Sequence, residues 1–149
     1  MLREYLTEIQ SSKPAIGIFE AGVAHAMLIG KRFGVVSTGS GIKNTLIAGM
    51  RSFLGANSER FAGVVTSGLG VVELREGDQS HIETRMRETS VKMAAMGADV
   101  IILGCAGMAG MEELVKGGVR DAGLGEVKVV DGAKAGVEIL AGIARLARE

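Results

Sequence analysis

Four short runs of β-branched and apolar residues punctuate the chain: residues 34–38 (GVVST), 63–67 (GVVTS), 99–105 (DVIILGC) and 127–131 (VKVVD). Between them apolar positions recur at helical spacing. Leu46, Ile47, Met50 and Leu54 share one face of a stretch over 42–54, with Ser40 placed to cap it. Ser80 and Glu83 form a capping-box pattern ahead of a helix that points Ile82, Met86, Met93 and Met96 inward and stops at Gly97. Asp131 is placed to cap a last helix, along which Val137, Leu140, Ala144 and Ala147 repeat on one face. Strands alternating with helices in this way predict an α/β fold, a parallel sheet flanked by helices.

Two stretches near the start fit this scheme less simply. Residues 15–19, after Pro14, have the character of a fifth strand and lead through Glu20 into a helix reaching about Gly30. Ahead of them, Leu2, Leu6 and Ile9 suggest an amphipathic helix over 2–10, and in a parallel α/β unit such a helix follows a strand. That strand would lie before Met1. The expectation is therefore either an uncovered first helix or a shortened version of a longer domain.

Composition narrows the function. Lys plus Arg equals Asp plus Glu at 17 each, and aromatic residues are 3% of the chain. With neither a basic field nor stacking platforms, nucleic acid is not an expected partner. No apolar run approaches the roughly 18 residues of a membrane span, and the opening MLRE is not a signal peptide, so a cytoplasmic protein is expected. The 23 glycines among 149 residues, about twice ordinary usage, suit many tight strand-to-helix turns. The eight methionines, several at helical spacing, read as core filler.

Open α/β sheets build their sites at the carboxyl ends of strands. Here those ends carry Ser37, Thr38 and Gly39, then Thr66 and Ser67, then Gly104, Cys105, Ala106 and Gly107. Cys105 is the one cysteine in the sequence. It reads either as a small buried hydrophobe or as a reactive thiol. A glycine-flanked turn, with a helix starting near 108–111, would favour its thiolate. The GSGIKN stretch lacks the Gly-Lys-Ser/Thr ending of a phosphate loop, and His25 and His81 form no metal-ligand spacing with Cys105.

The segments PAIGIFEAGVAHA, RFGVVSTGSG, GADVIILGCAGMAG and VKVVDGAKAGVEIL, in that order, resemble the consecutive signature segments of the Asp/Glu/hydantoin racemase superfamily, closest to hydantoin and allantoin racemases and their fungal relatives. The resemblance implies a lobe of flavodoxin-like layering from a two-lobe fold, with the amino-terminal part of that fold missing. Residues 1–31 would be the remnant of the first lobe, 32–126 the second lobe with the Cys105 segment, and 127–149 a final strand and helix returning toward the first lobe.

The function it implies is a cofactor-independent racemase of a cyclic ureide, with Cys105 as one of two acid/base thiols acting on opposite faces of the carbon next to a carbonyl. The second thiol would belong to the missing strand, so the isolated chain is expected to racemise poorly. Thr38, Ser37 and Gly39 fall on the segment that contacts substrate oxygens, although this stretch also suits an ordinary helix start. Gly104, Ala106 and Gly107 flank the thiol. Glu20 matches the Glu of the family's GIxEA segment, where it either positions substrate or favours a helix N-terminus. No metal or organic cofactor is implied, and the partners are a hydantoin-like small molecule and further copies of the chain. The rival readings are a superfamily decarboxylase or isomerase using one cysteine, and a non-catalytic remnant serving as a binding or oligomerisation module.

Overall fold

The computed structural model describes residues 13–147. The helix expected over 2–10 lies outside them. In chain order the elements are α1 (Ile18–Ile29), β1 (Phe33–Ser37), α2 (Lys43–Leu54), β2 (Phe61–Thr66), α3 (Glu73–Glu76), α4 (Gln79–Ala95), β3 (Val100–Leu103), α5 (Glu112–Asp121), β4 (Lys128–Asp131) and α6 (Gly132–Leu146), with single 3-10 turns at Ser40–Ile42 and Ala106–Met108. The four strands pair in parallel in the order β2-β1-β3-β4.

Successive strand residues point to opposite faces, and this alternation sorts the core into two layers. Phe33 and Val35 of β1 and Val100 and Ile102 of β3 meet Ala21, Val23 and Ala26 of α1, Leu46 and Met50 of α2, and Ala135 of α6. Val36, Ile101 and Leu103 face the other way, onto Ile82, Met86 and Met93 of α4 and Val115 and Val119 of α5. Both faces of the central strands are covered. This is why β1 and β3 read as nearly unbroken apolar runs and are buried at every position.

Helices α1 and α6 lie side by side on one face. Their contact is close because Gly132 has no side chain: a Cβ there would stand 2.3 Å from the carbonyl oxygen of Ile18. The other end of α1 is held by Arg60, whose guanidinium donates to the carbonyls of Met27 (2.7 Å), Gly30 (2.6 Å) and Lys31 (3.0 Å). A cation on the last carbonyls of a helix complements its dipole.

Several local expectations are corrected. Residues 13–17 form no strand, and 18–19 already belong to α1, so the described sheet has four strands. Ser40 opens a 3-10 turn and gives no side-chain cap to α2. Helix α4 is capped by Asp78, which accepts from the His81 amide at 2.8 Å, rather than by Ser80. Asp78 stands two residues earlier and serves equally well chemically, so the helix starts sooner than the Ser-Glu pair suggests. Met96 is 43% exposed, because α4 ends at Ala95 and Gly97 takes a left-handed φ of 88°. In α6 the packed residues are Ala135 and Gly136, while Val137 is 65% exposed, so the stripe through Val137 faces away from the sheet. Asp131 caps α6 as expected, accepting from Ala133 (2.8 Å) and Lys134 (3.2 Å).

Asp99, just ahead of β3, accepts from the amides of Lys31 (2.9 Å) and Arg32 (2.7 Å) and so ties the α1–β1 turn to the next strand. Burial opposes ionisation of Asp99, but these amide donors and the positive field of Lys128 outweigh it and hold the carboxyl below its ordinary 3.8. A folded-state pKa below the unfolded one adds stability above the unfolded value, and that stability is lost as pH falls through the folded value. Asp99→Asn is therefore expected to cost about 1 kcal/mol at pH 7 in urea unfolding. The gap from wild type should close as pH drops below 3.8. A gap that persists undiminished to pH 2 would show that the charge of Asp99 is not what counts.

Candidate functional site

In a sheet of order 2-1-3-4 the sense in which successive strands are added across the sheet reverses between the parallel β1 and β3, and the crevice of a doubly wound fold opens at the carboxyl ends of such a pair. After β1 the chain passes to α2 on one face, and after β3 to α5 on the other. The divergence leaves Ser37, Thr38 and Gly39 on one side of the opening and Gly104, Cys105, Ala106 and Gly107 on the other.

The edge is tied together by backbone bonds. Gly104 N–H donates to Val36 (2.8 Å), Ser67 N–H to Ser37 (2.8 Å) and Gly68 N–H to Thr38 (3.4 Å). Gly104 is required by crowding. A Cβ there would sit 2.7 Å from Val35 Cγ1, 3.1 Å from the Val36 carbonyl and 3.3 Å from Ser37 Cβ. Ser37 is fully buried, and its hydroxyl has no hydrogen-bond partner among the described residues. Thr38 is 8% exposed. Gly39 faces open space, since a Cβ there would meet nothing within 4 Å.

Cys105 is half-buried and packs at the rim of the layer that contains Leu69, Leu74 and Met108. The structure corrects its expected surroundings. A 3-10 turn of three residues follows it, and α5 begins only at Glu112, with two carboxylates, Glu112 and Glu113, in its first turn. The Met108 amide closes on the Cys105 carbonyl (3.0 Å) and the Ala109 amide on the Ala106 carbonyl (3.2 Å), so neither is free to face the thiol. Glu112 is held by Lys134 of α6 in an ion pair, and that bond, with amide donors, keeps its carboxyl below the usual value.

Ser37 and Gly104 are thus brought into contact, and Gly107 lies beside the thiol: Cys105 Sγ is 3.6 Å from where a Gly107 Cβ would be. Ala106 is exposed at the mouth. Glu20 is placed differently. Its carboxylate folds back over Gly17, and the residue lines a groove between α1 and α2 with Phe19, Gly49, Ser52 and Phe53.

The segment between β2 and α4 is the part of the site that sequence reasoning missed. Leu69 and Leu74 are buried there, and α3 packs on the 3-10 turn after Cys105. Arg85 of α4 fixes the start of this segment by donating through Nε (3.0 Å) and Nη2 (2.6 Å) to the Ser67 carbonyl. The glycines at 68, 70 and 77 were the only available signal, and they mark turns without saying what the turns cover.

Comparison with known proteins gives consistent matches. The family profile of Asp/Glu/hydantoin racemases matches residues 2–140. A hydantoin racemase of Pseudomonas sp. (strain NS671) is 30% identical over 139 residues, covering 93% of this chain and 53% of the relative. An uncharacterised protein of Schizosaccharomyces pombe is 33% identical over 135 residues, covering 90% and 55% respectively. Among solved structures, allantoin racemase from Pseudomonas fluorescens superposes with a TM-score of 0.74 at 34% identity, covering 90% of this chain and 54% of that one. The chain spans about half the length of the curated relatives it matches.

Proposed function

The chain belongs to the Asp/Glu/hydantoin racemase family, and from that premise we propose that it moves a proton at the carbon next to a carbonyl of a cyclic ureide, a 5-substituted hydantoin or allantoin, with Cys105 as the acid/base thiol. The observation that carries this reading is the place of Cys105: the one cysteine of the sequence stands two residues past the carboxyl end of β3, the strand that pairs with β1, half-buried and beside a bare glycine. Names of relatives supply the substrate class, since those matched include hydantoin and allantoin racemases.

The chemistry follows from the groups present. The Cys105 thiolate takes the C5 proton, and the C–H electron pair passes to the C4 carbonyl oxygen as an enolate. Amide and hydroxyl donors at residues 37–39 suit that developing negative charge, and the buried Ser37 hydroxyl at this edge has no hydrogen-bond partner among the described residues. Return of a proton to C5 from the same thiol restores the starting enantiomer, whereas inversion needs an acid on the opposite face. Loss of rotation therefore calls for a proton donor other than Cys105 on that opposite face.

The test follows the C5 proton of a single-enantiomer 5-substituted hydantoin by NMR in deuterated water, together with optical rotation. Exchange with rotation kept is the result expected of one thiol acting alone. Exchange with loss of rotation would identify a working second acid. Accumulation of a decarboxylated product from an arylmalonate, without C5 exchange, would replace the racemase reading by the decarboxylase one.

A further inference from the structure

We infer that Leu74 and the bare Cα of Gly107 form an apolar wall beside the thiol that selects the C5 substituent, favouring an aliphatic group over the polar ureido group of allantoin. The inference rests on the function proposed above and narrows its substrate class. Its basis is a convergence of three residues from two separate segments. The point where a Gly107 Cβ would lie is 3.6 Å from Cys105 Sγ and 3.6 Å from Leu74 Cδ1. A single methyl-sized position therefore touches both the reactive sulfur and the leucine. Leu74 is 7% exposed and belongs to the same buried apolar cluster as Leu69 and Met108, both almost fully buried.

Leu74 is also held in place by its own short helix. Gly70 N–H donates to Glu73 Oε2 (3.1 Å), and the amides of Leu74 and Gly77 close the turn on Gly70 (3.0 Å) and Glu73 (2.8 Å). A polar substituent pressed against this surface would shed water without gaining a partner. An aliphatic one would gain contact, and hydrophobic pockets of this kind discriminate by roughly 10- to 200-fold per group.

Two readouts separate this inference from the proposed activity. The first is alkylation of Cys105 by N-isobutyl iodoacetamide and by the similarly sized, polar N-(carbamoylmethyl) iodoacetamide, each rate divided by that of the probe with free 2-mercaptoethanol. The full chain is expected to favour the isobutyl probe about tenfold. Leu74→Asn should bring the ratio close to one, and the volume-conserving Leu74→Met should keep it. Gly107→Ala, whose methyl meets neighbours only at ordinary contact distance, should slow the isobutyl probe about tenfold more than iodoacetamide, and it serves if the asparagine variant fails to fold.

The second readout compares C5 exchange of 5-isobutylhydantoin and allantoin, with the former expected to be faster in wild type and the order lost in Leu74→Asn. A wild-type alkylation ratio near one, or a ratio unmoved by both Leu74→Asn and Gly107→Ala, overturns the inference even if exchange is fast. An intact ratio with no C5 exchange removes the racemase reading and leaves the wall standing.

Discussion

Serine in place of Cys105 is expected to slow deuterium incorporation at C5 of a hydantoin by about 100- to 10,000-fold, the usual contribution of a positioned acid/base group. The exchange of one atom, sulfur for oxygen, leaves shape and rotamer nearly unchanged but removes the thiol on which the proposed proton transfer depends. Because Cys105 is at the rim of its layer, half-buried, the unfolding free energy should move by no more than about 0.5 kcal/mol. The pair of measurements is deuterium exchange by NMR and urea unfolding. A serine variant that exchanges as fast as wild type would remove the thiol from the chemistry.

Gly104→Ala should affect stability and activity together. Its new methyl would press within 2.7 Å of Val35 Cγ1 and 3.1 Å of the Val36 carbonyl, and the backbone oxygen cannot rotate aside as a side chain can. Overpacking of this kind costs about 1–3 kcal/mol. The strain is relieved only by parting the ends of β1 and β3, which moves the thiol one residue away. A displacement of roughly 1 Å is expected to cost about 100-fold in C5 exchange. Loss of stability with exchange unchanged would show that Gly104 packs the sheet without setting the position of Cys105.

The sheet was legible because buried parallel strands leave a strong trace. Each of the four apolar runs became a strand, displaced by at most a few residues at its ends. Asp131 was legible as a cap because it directly precedes an uninterrupted helix. The errors arose where two residues of similar chemistry competed, as Asp78 did with Ser80, or where tertiary contact decides. Residues 15–19 look like a strand, yet Ile18 starts a helix whose first carbonyl packs on Gly132, over a hundred positions away. Of the candidate site, the carboxyl-edge residues could be found from strand ends. Leu69 and Leu74 could not, since five-residue spacing matches neither helix nor strand, and their burial depends on α3 lying against the turn after Cys105.

The strand order has a kinetic consequence. No two strands that pair are joined by a hairpin, and the innermost pairing sets Phe33 against Val100. The chain must close long loops before β1 and β3 gain any ladder bonds, and such non-local topologies fold in milliseconds to seconds rather than microseconds. During synthesis, β1 would leave the ribosome well before its β3 partner exists, with Val35 and Val36 as open apolar surface. Folding of this sheet is therefore expected to be limited by arrival of the 99–105 segment, the same stretch that carries the thiol.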